Sequence, residues 1–382
     1  MKSNLKKVIK KIIPVNEPVI TQTDALSVFR AAKSGWISST GPQIHIFEKN
    51  FSSFIGKKYS TTVSSGTAAL EVAIKALGIK SNDEVIVPNF TIISNILAVI
   101  RQGAKPIFVD CDKFNWNMRI EDIEKKITKK TKAIIATHIY NFPIDIIKIK
   151  KICNFYKIFL IEDAAEVLGH KLGNKQCGSF GDLSIFSFYA NKHITTGEGG
   201  MILSDNLKLI KKCQSLKNLC FGKKDRFNHE DIGWNYRLTN LQASLGVSQL
   251  KRINNIIKKK KEIGINYYNL IKKNKNVYIP PPRQGNLENI YWVVGILINN
   301  KVTNINAKTL SKKLLQRKIE TRPFFFPMHK QKILKNLNFI NKNDKFYNSE
   351  YISKYGLYLP SSINLKYNQI KYIADQLNDV FK

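Results

Sequence analysis

Ile158-Phe159-Leu160-Ile161-Glu162-Asp163-Ala164-Ala165-Glu166 is an apolar run closed by an acidic pair, the pattern of a buried strand that delivers carboxylates to the edge of a sheet. Short β-branched runs of similar kind recur on both sides of it: Val85-Ile86-Val87, Ile107-Phe108-Val109, Ala133-Ile134-Ile135, Leu183 to Phe188, and Met201-Ile202-Leu203. Helical patterns separate them. Such alternation over residues 60–205 predicts an α/β fold with a mainly parallel central sheet covered by helices on both faces. Ligands of such sheets gather at the carboxyl ends of the strands.

A strong helix is expected after Ser64-Ser65-Gly66-Thr67, where Ala69, Val72, Ala73, Ala76 and Leu77 recur at helical spacing and Gly78 supplies a stop. Beyond Gln242 a long helical stretch is expected to continue through Leu250 to about Ile271, interrupted by the Lys258 to Lys261 run, a solvated face. Pro280-Pro281-Pro282 and the mixed pattern beyond it predict a smaller C-terminal α+β domain. The expected division is a large domain over residues 1–250 and a small one over 251–382, with the N-terminal segment free to pack on the small domain.

The 382 residues allow a sizeable core. Against 28 Asp and Glu stand 62 Lys and Arg, a formal charge of +34, which alone would suggest a nucleic-acid or acidic partner. The excess is mostly Lys, spread through almost every segment together with Ile and Asn, so a solvated basic surface that can steer anionic substrates is the expectation; neither nucleic acid nor membrane is a predicted partner. Five cysteines without a CxxC pair argue against a disulfide framework or a metal site. The apolar part of the basic Met1 to Ile13 segment is too short for a signal peptide, and no run approaches the length of a membrane span, so a cytoplasmic protein is expected.

Among so many lysines, Lys192 is distinguished by its company. Ser187-Phe188-Tyr189-Ala190-Asn191-Lys192 follows a buried strand, and Gly197-Glu198-Gly199-Gly200 turns the chain into the next. A lysine that bonds covalently to a carbonyl cofactor must be held on such a strand-end loop. Asp163, at the end of the earlier strand, can keep a pyridine nitrogen protonated, so that the ring accepts the electrons of a substrate carbanion. Glu162 should face the opposite side, and Glu166 can reach a ring hydroxyl. Taken alone, a strand-end Asp serves more often as a helix cap. Phosphate would find backbone N–H groups at Ser65-Gly66-Thr67 and a hydroxyl at Ser187.

The sequence resembles the fold-type I nucleotide-sugar aminotransferases of the DegT family over nearly its whole length. The resemblance rests on Gly35-Trp36-Ile37-Ser38-Ser39-Thr40-Gly41-Pro42, Ser64 to Leu70, Glu162 to Glu166, Phe186 to Lys192 with Gly197 to Gly200, and Trp234-Asn235-Tyr236-Arg237-Leu238-Thr239-Asn240. It implies pyridoxal 5'-phosphate bound as a Schiff base to Lys192, with Asp163 on the pyridine nitrogen and Gly66, Thr67 and Ser187 on the phosphate. It also implies a homodimer with shared active sites, in which Asn235 reaches the phosphate in the opposite chain's site. Two positions depart from the family pattern: Ile92 stands where many relatives stack an aromatic residue on the cofactor ring, and Asn141 stands where relatives usually have Gly.

Glu320-Thr321-Arg322-Pro323-Phe324-Phe325-Phe326-Pro327-Met328-His329, and Asn191-Lys192 followed by Thr195-Thr196-Gly197-Glu198, resemble the perosamine-forming branch of that family. The implied reaction moves an amino group, with glutamate as donor, to GDP-4-keto-6-deoxymannose for surface-polysaccharide synthesis. Trp36, Arg322 and His329 are the candidate substrate contacts. Another nucleotide keto sugar or a small phosphorylated ketone is the alternative acceptor. A pyridoxamine-dependent sugar dehydratase is disfavoured by Lys192, because such relatives carry His there, and a regulatory protein is disfavoured by the retention of both Lys192 and Asp163.

Overall fold

The computed structural model of the chain describes residues 11–140, 142–222, 224–341 and 344–382. Asn141 and most of the basic N-terminal stretch lie outside the described residues. Seven strands build the larger sheet: β1 (Tyr59–Val63), β2 (Glu84–Pro88), β3 (Lys105–Val109), β4 (Thr131–Thr137), β5 (Phe159–Asp163), β8 (Leu183–Ser187) and β9 (Gly200–Ser204). A hairpin of β6 (Lys171–Leu172) and β7 (Lys175–Gln176) stands outside it. The spatial order is β1-β9-β8-β5-β4-β2-β3. Strands β3, β2, β4, β5 and β8 pair in parallel, whereas β9 runs antiparallel to both β8 and β1. The expected mainly parallel α/β sheet is therefore the one the chain adopts.

Side chains alternate across these strands because successive residues point to opposite faces. Val85, Val87, Ala133, Ile135 and Ile161 enter the core beneath α3 (Gly66–Ala76), α4 (Ser94–Ile100) and α6 (Leu207–Leu216). Ile86, Ile134, Ala136 and Leu160 enter the opposite core with α5 (Ile146–Tyr156). Farther along that face, Phe186, Phe188 and Met201 pack against Phe47 and Phe51 of α2 (Pro42–Ile55). With both faces covered, polar function is confined to the strand ends.

The long helix expected from Gln242 to Ile271 is instead two, α7 (Asn240–Leu250) and α8 (Ile253–Ile271). Arg252 leaves helical geometry at φ −109°, ψ 14°. Its guanidinium donates to the Asp24 carboxylate at 2.6 Å and to Val19 O at 2.7 Å, near the start of α1 (Gln22–Lys33). The Lys258 to Lys261 run also differs from expectation. Lys258 and Lys259 are exposed, but Lys260 lies on the buried stripe with Ile253, Ile256, Ile263, Tyr267 and Ile271 and is only 3% exposed.

The second sheet has the order β10 (Val277–Tyr278), β13 (Val294–Ile298), β15 (Gly356–Leu359), β14 (Arg322–Pro323), all antiparallel. A β11 (Arg283–Gln284) and β12 (Leu287–Glu288) hairpin lies apart from it. Helices α8, α9 (Ala307–Gln316) and α12 (Tyr367–Val380) cover this sheet in a separate core that also takes in Ile13. The two cores do not divide at one point in the chain. Ile13 bridges to Ile319, while Met328, Leu334 of α10 (Lys332–Asn336) and Phe346 pack back into the core of the large sheet. Between them an aromatic cluster of Phe90, Trp116, Tyr140, Trp292, Phe324 and Tyr358 forms the seam.

Candidate active site

Four parallel strands deliver side chains to one place. Asp163 ends β5, Thr137 ends β4, Ser187 ends β8, and Ser65-Gly66-Thr67 joins β1 to α3. Together with Glu166, Lys192, Ile92, Tyr140, Trp292, Arg322 and Phe325 they line a cavity of about 400 Å³ at the seam. Lys192 comes from the connection between β8 and β9. Its backbone is fixed by its own N–H on Tyr189 O at 2.9 Å and by the preceding carbonyl, Asn191 O, which accepts from Asn16 Nδ2 and Trp292 Nε1 at 2.9 Å each. His193, next in sequence, turns away from this cavity, and its Nδ1 lies 3.0 Å from Leu168 O.

The alternation of β5 separates its two carboxylates. Asp163 faces the cavity, while Glu162 is buried on the other side and accepts from the N–H groups of Gly178, Phe180 and Gly181 at 2.6, 2.8 and 2.9 Å. His138 Nε2 is 3.1 Å from the same carboxylate. Burial works against the Glu162 charge, yet His138 and the loop N–H groups outweigh it and hold the pKa below the usual range. Asp163 has weaker support, from Ala165 N–H at 3.2 Å and from Thr137 Oγ1 at 3.4 Å, with Thr137 held in turn by Asn95 Nδ2 at 2.8 Å. Burial pushes its pKa up despite these bonds. Asp163 is thus a carboxylate whose environment calls for a cation on its cavity side.

Lys192 Nζ lies 3.8 Å from Glu166 Oε1 and 3.7 Å from the centre of the Trp292 ring. Burial lowers the Lys192 pKa, with Glu166 and Asp163 opposing that shift. Burial raises Glu166 to about 7, even though Lys192 and the Tyr140 N–H, 3.0 Å away, favour its charge. Burial thus moves the lysine and the glutamate towards each other in proton affinity, so that one can hand a proton to the other.

At the other end of the cavity, Ser65 caps α3 by accepting from Ala68 N–H at 3.0 Å. The N–H groups of Gly66 and Thr67 precede the first intrahelical bond, from Ala69 to Ser65, and present the positive end of the helix dipole. Gly66 is required by close approach, because a Cβ there would sit 2.9 Å from Ser187 Cβ. Thr67 Oγ1 and Ser94 Oγ are 2.8 Å apart beside it.

The remaining candidates are dispersed. Arg322 lines the cavity mouth, hydrogen-bonded to Tyr358, and Ile92 lines the wall. His329 is not among the lining residues; its ring nitrogens lie 2.9 Å from Asn89 Nδ2 and 3.0 Å from Glu350 Oε1, and its ring packs on Phe346. Trp36 is 51% exposed, away from its own chain's cavity. Asn235 is exposed, its Oδ1 accepting from Arg237 Nε at 2.8 Å, although Tyr236 O beside it accepts from Ser64 N–H next to the cradle. The sequence reading missed Tyr140, Trp292, Asn95, Thr137 and Tyr358. Tyr140 adopts φ +56° and stacks on Phe325 at 5.0 Å, features of tertiary packing that no local pattern signals.

A phosphorylated pyridine aldehyde fits these residues. Its phosphate matches the Gly66 and Thr67 N–H groups, its protonated ring nitrogen matches the under-supported Asp163 carboxylate, and its carbonyl carbon matches the buried amine of Lys192. Among the described residues no group of three or more His, Cys, Asp and Glu could hold a metal ion, and no described helix is long and apolar enough to cross a membrane.

Residues 18–378 match the model of the DegT/DnrJ/EryC1/StrS aminotransferase family. The chain is 39% identical over 372 residues to GDP-perosamine synthase of Escherichia coli O157:H7, covering 97% of this chain and 99% of that one. It is 37% identical over 370 residues to GDP-perosamine synthase of Vibrio cholerae, with the same coverages. Among solved structures it is similar to Helicobacter pylori PseC, an aminotransferase involved in the biosynthesis of pseudoaminic acid, with a TM-score of 0.91, 24% identity, and 97% and 99% of the two chains covered. With this match over nearly its whole length, the chain belongs to the DegT/DnrJ/EryC1/StrS aminotransferase family and is a pyridoxal-phosphate-dependent transaminase.

Proposed function

We propose that this transaminase moves the amino group of glutamate to C4 of GDP-4-keto-6-deoxymannose, forming GDP-perosamine and 2-oxoglutarate in the cytoplasm. The observation that carries the acceptor is the similarity at 39% and 37% identity, along 97% of the chain, to two GDP-perosamine synthases. The geometry supports it, because Arg322 places a guanidinium at the cavity mouth, where the anionic groups of a nucleotide sugar or of glutamate would enter.

Bound pyridoxal phosphate supplies the carbonyl that takes up the amino group and the ring that accepts an electron pair from the donor's Cα. Lys192 would be its covalent anchor, and its free amine would hold and move protons at Nζ. Its lowered pKa increases the fraction that is neutral and able to act as a base. Asp163 holds the ring nitrogen protonated. Glu166 sits beside Lys192 with its pKa raised to about 7, so it can take a proton from or give one to the lysine amine, and it would face the ring hydroxyl of the bound group. Trp292, Tyr140 and Phe325 wall the cavity and exclude water from the amine. Gly66, Thr67 and Ser187 grip the phosphate, and Asn235 completes that grip from the partner chain of a homodimer. Exposure of Trp36, Ile37, Phe227 and Ile232, the last at 81%, supports such an interface.

The test supplies ¹⁵N-glutamate, pyridoxal phosphate and GDP-4-keto-6-deoxymannose, and follows ¹⁵N into the sugar by mass spectrometry. Borohydride trapping and peptide mapping locate the cofactor-bearing lysine in the same preparation. The expected result is one ¹⁵N at C4, a label on Lys192, and a loss of turnover of at least about a thousandfold in Lys192→Ala. Labelling of a different nucleotide sugar or of a small phosphorylated ketone, with none in the GDP sugar, would sink the acceptor assignment.

A further inference from the structure

Lys260 occupies a position that a helix of this kind normally gives to an apolar residue. One turn before it is Ile256 and nearly one turn after it is Ile263, both buried, and the lysine stem continues their stripe. Its Nζ donates to Trp292 O at 2.9 Å and to Ser361 O at 2.6 Å. These carbonyls belong to two adjacent chain ends of the small sheet: Trp292 precedes β13, and Ser361 follows β15, which pairs with β13 through Val294 and Leu359. The Trp292 side chain then reaches into the active site, where its Nε1 donates to Asn191 O and its ring covers Lys192 Nζ.

We propose that Lys260 is a positioning residue for Lys192, acting through Trp292. The proposal rests on Lys192 being the cofactor-bearing lysine. A buried ammonium is costly, and no carboxylate pairs with this one among its described contacts; burial lowers its pKa to about 7. Losing that proton does not break the arrangement, since a neutral amine still has two N–H donors for two carbonyls. A methionine would fill the same volume at lower desolvation cost. What the lysine adds is a fork joining the chain end that carries Trp292 to the adjacent one that carries Ser361. Because Trp292 both braces the carbonyl before Lys192 and covers its amine, a shift of the indole alters the position and the solvation of the reacting nitrogen together.

The experiment uses the full-length holoenzyme and compares Lys260→Met, Trp292→Leu, their double variant and Tyr267→Phe. Tyr267 is the control. It lies on the same buried stripe, and its hydroxyl donates to Pro360 O at 3.0 Å, one residue from Ser361, without touching Trp292. The readout is the pH midpoint of the absorbance of the Lys192-bound cofactor, measured without turnover, with kcat and KM alongside. We expect Lys260→Met to shift the midpoint by about one pH unit, a tenfold change in that protonation equilibrium. We also expect it to lower kcat by about tenfold to a hundredfold, as a slightly misplaced reacting group does. In the Trp292→Leu background the same substitution should produce no further shift, because neighbours acting in one chain of contacts are non-additive. An unmoved midpoint in Lys260→Met, an equal shift in both backgrounds, or an equal shift in Tyr267→Phe would each overturn the proposal. If the methionine variant does not fold, Lys260→Gln, whose amide falls one bond short of the fork, carries the same comparison. A borohydride label on another lysine overturns the assignment of Lys192 itself, whereas a label on Lys192 with an unmoved midpoint overturns only the role of Lys260.

Discussion

Asp163 and Glu166 stand three residues apart at the end of one strand, yet their surroundings suit them to different tasks. Asp163 is supported by the Ala165 N–H, the Thr137 hydroxyl and the Asn95 side chain, yet burial still raises its pKa, so a protonated ring nitrogen is the partner that settles its charge. In Asp163→Asn the amide cannot hold that proton. The variant is expected to keep the cofactor's absorbance and to lose transamination by about a hundredfold or more; wild-type turnover would show that Asp163 serves only the fold. Glu166 titrates in a different way. Its pKa is raised from 4.5 to about 7 by burial, so the cofactor-free folded protein binds a proton there that the unfolded chain has already released. Stability from this group is complete below pH 4.5 and is lost as the pH rises through about 7. Glu166→Gln should therefore flatten the decline in apo-protein stability between those values relative to the wild type, as measured by urea unfolding across pH. Parallel curves for the two proteins would refute the raised pKa.

Within single elements, period decides which side chain does what. The pleat of β5 sends Asp163 to the cavity and Glu162 to the loop at residues 178–181, so adjacent carboxylates serve cofactor and fold separately. Glu162→Ala would leave the N–H groups of Gly178, Phe180 and Gly181 without their acceptor in a buried space. A destabilisation of about 3 kcal/mol or more is expected in equilibrium unfolding. Cofactor capture by the folded fraction should persist, because Asp163 and Lys192 do not depend on the Glu162 carboxylate for a hydrogen bond. A variant as stable as the wild type would mean that water satisfies those donors. In α8 the 3.6-residue period likewise sorts four consecutive lysines, leaving Lys258 and Lys259 in solvent and burying Lys260.

For the whole molecule, the proposed reading has each site completed by Asn235 of the partner chain. Asn235 is exposed and absent from its own chain's cavity, while Trp36, Ile37 and Ile232 leave apolar surface uncovered. If the Asn235 loop acts across a dimer, mixing Lys192→Ala chains with Asn235→Ala chains produces heterodimers having one site with both defects and one with neither. After verified subunit exchange, and with Asn235→Ala alone clearly impaired, activity of the heterodimer should rise towards half that of the wild type. Mixtures no more active than the mean of their parents would place Asn235 in its own chain's site.

The order of apolar runs and turns along the chain was enough to predict a mainly parallel sheet with helices on both faces, because burial and strand period are written locally. The same local order marked Lys192, Asp163, Glu166, Gly66, Thr67 and Ser187, each at a strand end or a helix start, and the structure brings them to one cavity. Other features were decided only by contacts between distant segments. The break in the helical stretch beyond Gln242 falls at Lys251 and Arg252 and not at the expected Lys258 to Lys261 run, and the pairing of Arg252 with Asp24, 228 residues apart, leaves no local trace. Helical period puts Lys260 on the buried stripe, but the two carbonyls that accept from its amine come from the ends of strands in the small sheet, and only the tertiary structure brings them there. The walls formed by Tyr140 and Trp292 likewise arose where two cores join, because a seam is defined by which surfaces meet and no single stretch of sequence contains both.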